Sequence, residues 1–243
     1  MAALTKQQVE VEVSNKGFTL TDASQYKNLS SPITVRCNKG HLFSTTVNEV
    51  RAVSFCCPQC ESRLGIKISK TVPVKQPGTR RIIAFDQATE NFGLSIFDNG
   101  ELVFCQLYRF SGDVMSRLVK IRKFLQNIVI SGWKPDRIIM EDIQFQVGNY
   151  GQGVLTFKIL AMLFGIVQEL MKENNIPCEA VAPNVWRKYA GTCGKNRQEE
   201  KVLSKALVKK IYGIDVIDDV AESILIGRYA VKTDHTSIYN THK

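Results

Sequence analysis

Residues 81–108 constrain the fold more tightly than any other stretch of the chain. RRIIAFD is an apolar run that ends on an acid, the pattern of a central strand buried on both faces. Phe92–Phe97 and Leu102–Tyr108 follow, on either side of Asp98-Asn99-Gly100, where Asn-Gly supplies the positive φ angles of a tight hairpin turn. Three consecutive antiparallel strands are therefore expected. Val114–Ile130 then places Leu118, Ile121, Leu125 and Ile128 three and four apart, on one face of a helix that covers the sheet. Pro135-Asp136-Arg137 leads into IIME, a fourth strand ending on Glu141, and Gly153–Asn175 reads as a long helix closed by Pro177. Ile176–Val181 reads as a fifth strand, with Gln198–Tyr212 and Asp218–Val231 as helices. This order defines an α/β class, a mixed sheet flanked by helices.

Two of these strands end on carboxylates. Asp86 closes the first and Glu141 the fourth, so if the strands are neighbours their acids emerge together at one edge. On the last helix Asp219 and Glu222 are three apart and share a face, with Val220, Ile224 and Leu225 directed to the core. Four carboxylates gathered in one place repel one another unless divalent cations neutralise them, and hard oxygen donors suit Mg²⁺ or Mn²⁺. Two such ions about 3.5–4 Å apart activate a water and stabilise a leaving oxygen in phosphodiester hydrolysis. Asp142 and Asp218 are near neighbours open to confusion with the ligands, and Asp215 belongs to the loop before the helix.

The amino-terminal residues read differently. Cys37-Asn-Lys-Gly-His41 is followed after fifteen residues by Cys57-Pro-Gln-Cys60, three thiolates and an imidazole in two short knuckles. That spacing fits one closed, structural zinc site in a unit too short for a large core. Cys56 is the spare thiol or an alternative to Cys57, and Cys105, Cys178 and Cys193 lack ligand spacing and read as packing residues. Seven cysteines, an odd number clustered early, suit metal binding in a reducing compartment better than a disulfide framework. The expected organisation is a zinc-finger-like unit over residues 1–64, a Pro- and Gly-containing linker over 65–80, an α/β domain over 81–232 and a polar tail over 233–243.

Charge narrows the partners. The 32 Lys and Arg outnumber the 23 Asp and Glu, a net charge of +9 that favours polyanions through phosphate contacts and counterion release. Arg187, Lys188, Lys195, Arg197 and Lys201 surround a glycine-containing loop and are candidate phosphate contacts, although Lys201, Lys205 and Lys209 also recur as a solvated helix face would. Phe145 and Tyr150, in the Gly-rich QFQVGNYGQG, are candidates for stacking on or wedging between bases, with core packing the alternative for Phe145. MAALTKQQVEVEV lacks the apolar run of a secretory signal. Val154–Val167, interrupted by Lys158, falls short of the ~20 residues of a membrane span and reads as a buried helix. A cytoplasmic protein without a membrane partner is expected.

IIAFDQATENFGLSIFDNG resembles the first-strand motif of RuvC-type Holliday junction resolvases, in which an aspartate ends a strand and a Thr and a Gly begin the return. PDRIIMEDIQF resembles the second motif of that family, and VIDDVAESILIGRYA its terminal helix motif. Together the three cover residues 81–232 in the family's order and spacing, with departures at Gln87, Ala88 and Glu222. The resemblance implies an RNase H-like fold with Asp86, Glu141, Asp219 and Glu222 as ligands of two Mg²⁺ ions and Lys195, or else Lys201, near the scissile phosphate. It further implies a homodimer that cuts four-way DNA junctions symmetrically, with the apolar Leu155–Leu170 segment serving either as dimer helix or as core. The amino-terminal unit resembles treble-clef or ribbon fingers attached to viral and bacterial nucleases, which points to a phage or another mobile element and to its host's cytoplasm. Other readings are an RNase H-fold nuclease for RNA–DNA hybrids or other branched DNA, and a non-catalytic zinc-finger adaptor.

Overall fold

The computed structural model describes residues 4–52, 55, 57–61, 68–144 and 152–238. Its compact units are two. One comprises Met1–Gly65 with Arg187–Ile214, the other Ile66–Trp186 with Asp215–Lys243. Residues 187–214 thus cluster with the cysteine-bearing amino terminus, although segments of the other unit lie on both sides of them in sequence.

In the first unit, helix α1 (Lys6–Ser14) begins at a capping box in which Thr5 Oγ1 accepts from the Gln8 amide and the Gln8 side chain accepts from the Thr5 amide. Strands β1 (Thr19–Asp22), β2 (Pro32–Arg36) and β3 (Leu42–Thr46) form an antiparallel sheet, followed by the short helices α2 (Val47–Val50) and α3 (Pro58–Glu61). Val9 and Val13 of α1 close over Ile33, Val35, Val47 and Val50 in a small apolar core.

The second unit is built on a five-stranded sheet. Strand β4 (Arg81–Gln87) pairs antiparallel with β5 (Asn91–Asp98), which pairs antiparallel with β6 (Glu101–Arg109). On its other side β4 pairs parallel with β7 (Arg137–Glu141), and β7 with β8 (Cys178–Val181), so the order is β6-β5-β4-β7-β8. The expected mixed sheet flanked by helices is the one observed. Asn99 and Gly100 take φ values of 50° and 87° at the β5–β6 turn, the left-handed conformation required of both central residues of such a hairpin.

Alternation assigns each face. Ile83, Phe85, Phe92, Leu94, Ile96, Ile138 and Met140 point into the larger apolar core, which α4 (Val114–Phe124) and α5 (Gln152–Glu173) complete. Residues between them face helix α8 (Asp218–Ile238). Ser95 Oγ donates to the Ser223 carbonyl at 2.8 Å, and a Cβ on Gly227 would lie 3.1 Å from Ala84 Cβ and 2.3 Å from the Phe97 ring. The central strand is therefore sandwiched, as its unbroken apolar sequence required.

Two helices differ from expectation. The helix after β6 is α-helical only to Phe124 and continues as a π-helix over Leu125–Trp133. An i→i+5 turn takes up one more residue, so Val129 is buried where the α-helical spacing selected Ile128, which is 45% exposed. Helix α5, expected to be buried, is not: its Gly153–Glu173 stretch is long and apolar enough to cross a membrane, yet only 22% of its apolar window is buried. Leu163, Val167, Leu170 and Met171 pack into the core while Val154, Leu155 and Met162 face outward. The expected 65–80 linker is held to the sheet where it is described. The Ser69 amide donates to the Val103 carbonyl, the Pro73 carbonyl accepts from the buried Arg81, and Lys75 pairs with Asp136 at 2.6 Å.

Candidate active site and metal centre

The parallel register of β4 and β7 brings two acids together. Ala84 pairs with Ile139 and Phe85 with Met140, so the next residues in line are Asp86 and Glu141. Ile83, Phe85, Ile138 and Met140 occupy the core-facing side, which turns Asp86 and Glu141 to the opposite face, the one α8 crosses. On β5 the residue opposite Asp86 is Gly93, and a Cβ there would meet the Asp219 carbonyl oxygen at 2.2 Å. Only glycine permits the helix to approach so closely. The first turn of α8 therefore lies against the strand beside Asp86, and its backbone brings Asp219 to the same end of the sheet.

Glu222 is one helical turn beyond Asp219 and completely buried, as are Ala221, Ser223, Ile224 and Ile226 around it. The expectation that α8 separates an acidic from an apolar face is thus corrected: the helix is buried on all sides from Val220 to Arg228, and Glu222 is enclosed with the rest. A carboxylate in such surroundings is tolerated only with compensating partners or neutralisation. Asp86, Glu141 and Asp219 are half-buried, at the rim rather than the centre of the unit. Asp142 takes a different role, its side chain accepting from the Ile143 amide at 2.9 Å, and Asp215 lies exposed in the loop before α8.

Two side chains that sequence alone did not assign to this site hold Glu141. Trp186, in α6 (Pro183–Ala190), is completely buried, and its indole N–H donates to Glu141 Oε2 at 2.8 Å. The Gln87 carboxamide donates to the Glu141 main-chain carbonyl, bridging the two strand ends. The sequence does not single out Trp186 for this role, because nothing local to AVAPNVWRK signals a hydrogen bond to a residue 45 positions earlier.

The thiol and imidazole cluster forms as expected. The ligand atoms of Cys37, His41, Cys57 and Cys60 all lie within 4.8 Å of one another. Cys37 Sγ is 3.9 Å from Cys60 Sγ, and His41 Nδ1 is 3.5 Å from Cys57 Sγ and 3.3 Å from Cys60 Sγ. Tetrahedral zinc bonds at about 2.3 Å to sulfur and about 2.1 Å to nitrogen set edges of about 3.8 Å and about 3.6 Å, so the cluster fits that ion. The first knuckle is made by the backbone: the Gly40 amide donates to the Cys37 carbonyl and the Cys37 amide to the His41 carbonyl, with Gly40 at a φ of 85°. Partial desolvation and the neighbouring Cys57 and Cys37 sulfurs push the Cys60 thiol up to about 11, a cost that a bound cation reverses. Cys57 takes the ligand position, and Cys56 lies outside the described residues.

The other cysteines divide. Burial pushes Cys105 up to about 11, and burial with Glu179 pushes Cys178 up to about 12, in keeping with packing roles. Cys193 is exposed rather than packed. Of the basic candidates, Lys188, Lys195 and Arg197 are exposed and Lys201 is half-buried. Arg187 departs from the expected phosphate-contact set: it is 5% exposed, with Nε 3.6 Å from the Glu200 carboxylate, so its charge is directed inward. Lys205 and Lys209 are exposed, as a solvated face requires. Phe145 and Tyr150 lie outside the described residues.

No protein-family description matches the chain, and no curated protein matches it. Solved structures do. A Thermus thermophilus RuvC in complex with Holliday junction substrate is 14% identical with a TM-score of 0.49, covering 64% of this chain and 96% of that one. A second Thermus thermophilus RuvC structure gives 16% identity and a TM-score of 0.49 over the same shares, 64% and 96%. The yeast mitochondrial Holliday junction resolvase Ydc2 gives 16% and 0.49 over 69% of this chain and 83% of its own.

Proposed function

We propose that the chain is a metal-dependent, structure-selective endodeoxyribonuclease that cuts four-way DNA junctions by phosphodiester hydrolysis. The observation that carries this reading is the register that sets Asp86 beside Glu141 on one sheet face, with the Asp219 backbone packed against Gly93 across from them. Asp86, Glu141, Asp219 and Glu222 are all oxygen donors, the set that Mg²⁺ or Mn²⁺ takes. Two ions held there would neutralise the carboxylates, sharpen the attacking water and stabilise the departing oxygen. Trp186 fixes one oxygen of Glu141 and so limits the carboxylate's rotation, while Gln87 ties its main chain to the neighbouring strand.

Junction DNA as substrate is supported by the net charge of +9 and by the three motifs and their order. Lys188, Lys195, Arg197 and Lys201 are assigned contacts to DNA phosphates, and Phe145 and Tyr150 contacts to unpaired bases. A homodimer would place two such sites for opposed nicks. The outward apolar residues of α5 support it, because a soluble chain rarely leaves a contiguous apolar patch uncovered. A single structural zinc is assigned to Cys37, His41, Cys57 and Cys60.

The test is a panel of an immobile four-way junction, a Y-fork, a linear duplex and an RNA–DNA hybrid, each with Mg²⁺ and then with chelator. Paired symmetric nicks in the four-way junction alone, abolished by chelator, are expected. Preferential cutting of the hybrid would replace the substrate assignment, and binding without cleavage of any member would contradict the enzyme.

A further inference from the structure

The unit that carries the Cys3His cluster is assembled from two distant pieces of chain, Met1–Gly65 and Arg187–Ile214. How those pieces are joined is informative. The described members of the unit's apolar core all fall between Leu4 and Phe55, so residues 187–214 are not held by that core. Two contacts between the pieces lie elsewhere among the described residues. Gly191, at a φ of 77°, sits so close to Ala52 that a Cβ on it would lie 2.8 Å from the Ala52 methyl. Helix α3 (Pro58–Glu61) lies against helix α7 (Arg197–Tyr212).

α3 is a single turn of four residues. A helix this short has no stability of its own, since nucleation costs more than one turn returns. What can fix it is the cluster: Cys60 lies within α3 and Cys57 immediately precedes it, and both converge with Cys37 and His41 from the β2–β3 hairpin. The metal-ligand sulfurs thus sit at the place where the amino-terminal piece meets the 187–214 piece.

We propose that zinc bound by Cys37, His41, Cys57 and Cys60 is the strut that seats α3 and, through it, orders residues 187–214. The cluster is therefore not the centre of a self-contained finger. The segment it orders carries eight Lys and Arg against two Glu, so metal loading controls the presentation of the chain's basic loop and helix to polyanions. The inference rests on the zinc reading of the cysteines and is independent of the nuclease reading.

The experiment uses the full chain, with metal content measured directly and hydrogen exchange followed by mass spectrometry before zinc removal, after a zinc chelator, and after zinc is restored. One zinc per chain is expected. Its removal should speed exchange roughly tenfold or more in both 32–46 and 197–212, leave the β4, β5 and β7 amides unchanged, and be reversed by zinc. Cys57→Ser with Cys60→Ser should reproduce the chelated pattern. Absence of zinc from the purified chain overturns the proposal at the metal. Zinc present but exchange in 197–212 indifferent to its removal overturns the coupling, as does loss of protection throughout the chain, because the strut acts on one unit. None of these readouts involves cleavage, so they stand apart from the fate of the nuclease assignment.

Discussion

At the scale of single residues, Glu141 is distinguished by how firmly it is positioned. Its carboxylate accepts from a fully buried indole and its carbonyl from the Gln87 carboxamide. A hydrogen bond to a charged group contributes roughly 1.5–3 kcal/mol, so losing the indole donor should slow cleavage about tenfold or more. Trp186→Phe keeps most of the ring's packing. It is expected to leave junction affinity near the parent's and to lower the melting temperature only modestly, while lowering kcat and raising the Mg²⁺ concentration needed for half-maximal rate. A variant that loses stability and junction affinity together, with its Mg²⁺ requirement unchanged, would make Trp186 a packing residue only. Asp86 and Glu141 were legible in the sequence because an apolar run ending in an acid declares a buried strand and its rim. Trp186 was not, since its partner is chosen by tertiary contact, and the burial of Glu222 was not, since i,i+3 spacing says which residues are neighbours and not what covers them.

At the scale of elements, helix α8 is seated by what the strands beneath it lack. Gly93 leaves room for the Asp219 carbonyl, and on the helix Gly227 leaves room for Phe97 and Ala84. Gly93→Ala forces a methyl into backbone at 2.2 Å, and overpacking of this kind costs about 1–3 kcal/mol. A fall in melting temperature together with lost cleavage is expected, measured by calorimetry and junction assay; an unchanged melting temperature would mean that α8 does not press on β5. The strand order and hairpin were legible from apolar runs and the Asn-Gly pair. The π-helix was not, because a periodicity of three and four presumes α-helical turns, and so Ile128 was selected in place of Val129. The burial expected of helix α5 fails for a related reason, and the choice between core and dimer helix stayed open: apolar composition marks surface that wants covering without saying whether the same chain covers it. Leu155, 62% exposed, lies on the outward side proposed to meet a second copy. Leu155→Asp should convert dimer to monomer in sedimentation velocity with its fold intact; an unaltered sedimentation coefficient would remove α5 from the dimer interface.

At the scale of the molecule, the linear sequence hides that residues 187–214 cluster with the amino terminus, because a chain can leave one unit and return to it without any change of composition at the crossing. The four acids proposed as metal ligands nonetheless all belong to the unit with the five-stranded sheet, which contains both strand ends and α8. In the proposed reading a small constellation on an ordinary mixed sheet carries the function, and it is tested there. The most direct measurement compares parent and Glu141→Gln on the same four-way junction, scoring binding in Ca²⁺ and cleavage in Mg²⁺. The substitution preserves size and removes one negative charge, so junction binding within a factor of about two of the parent and loss of cleavage by about a hundredfold or more are predicted. Equal cleavage by the two proteins would contradict the placement of the active site at the paired ends of β4 and β7.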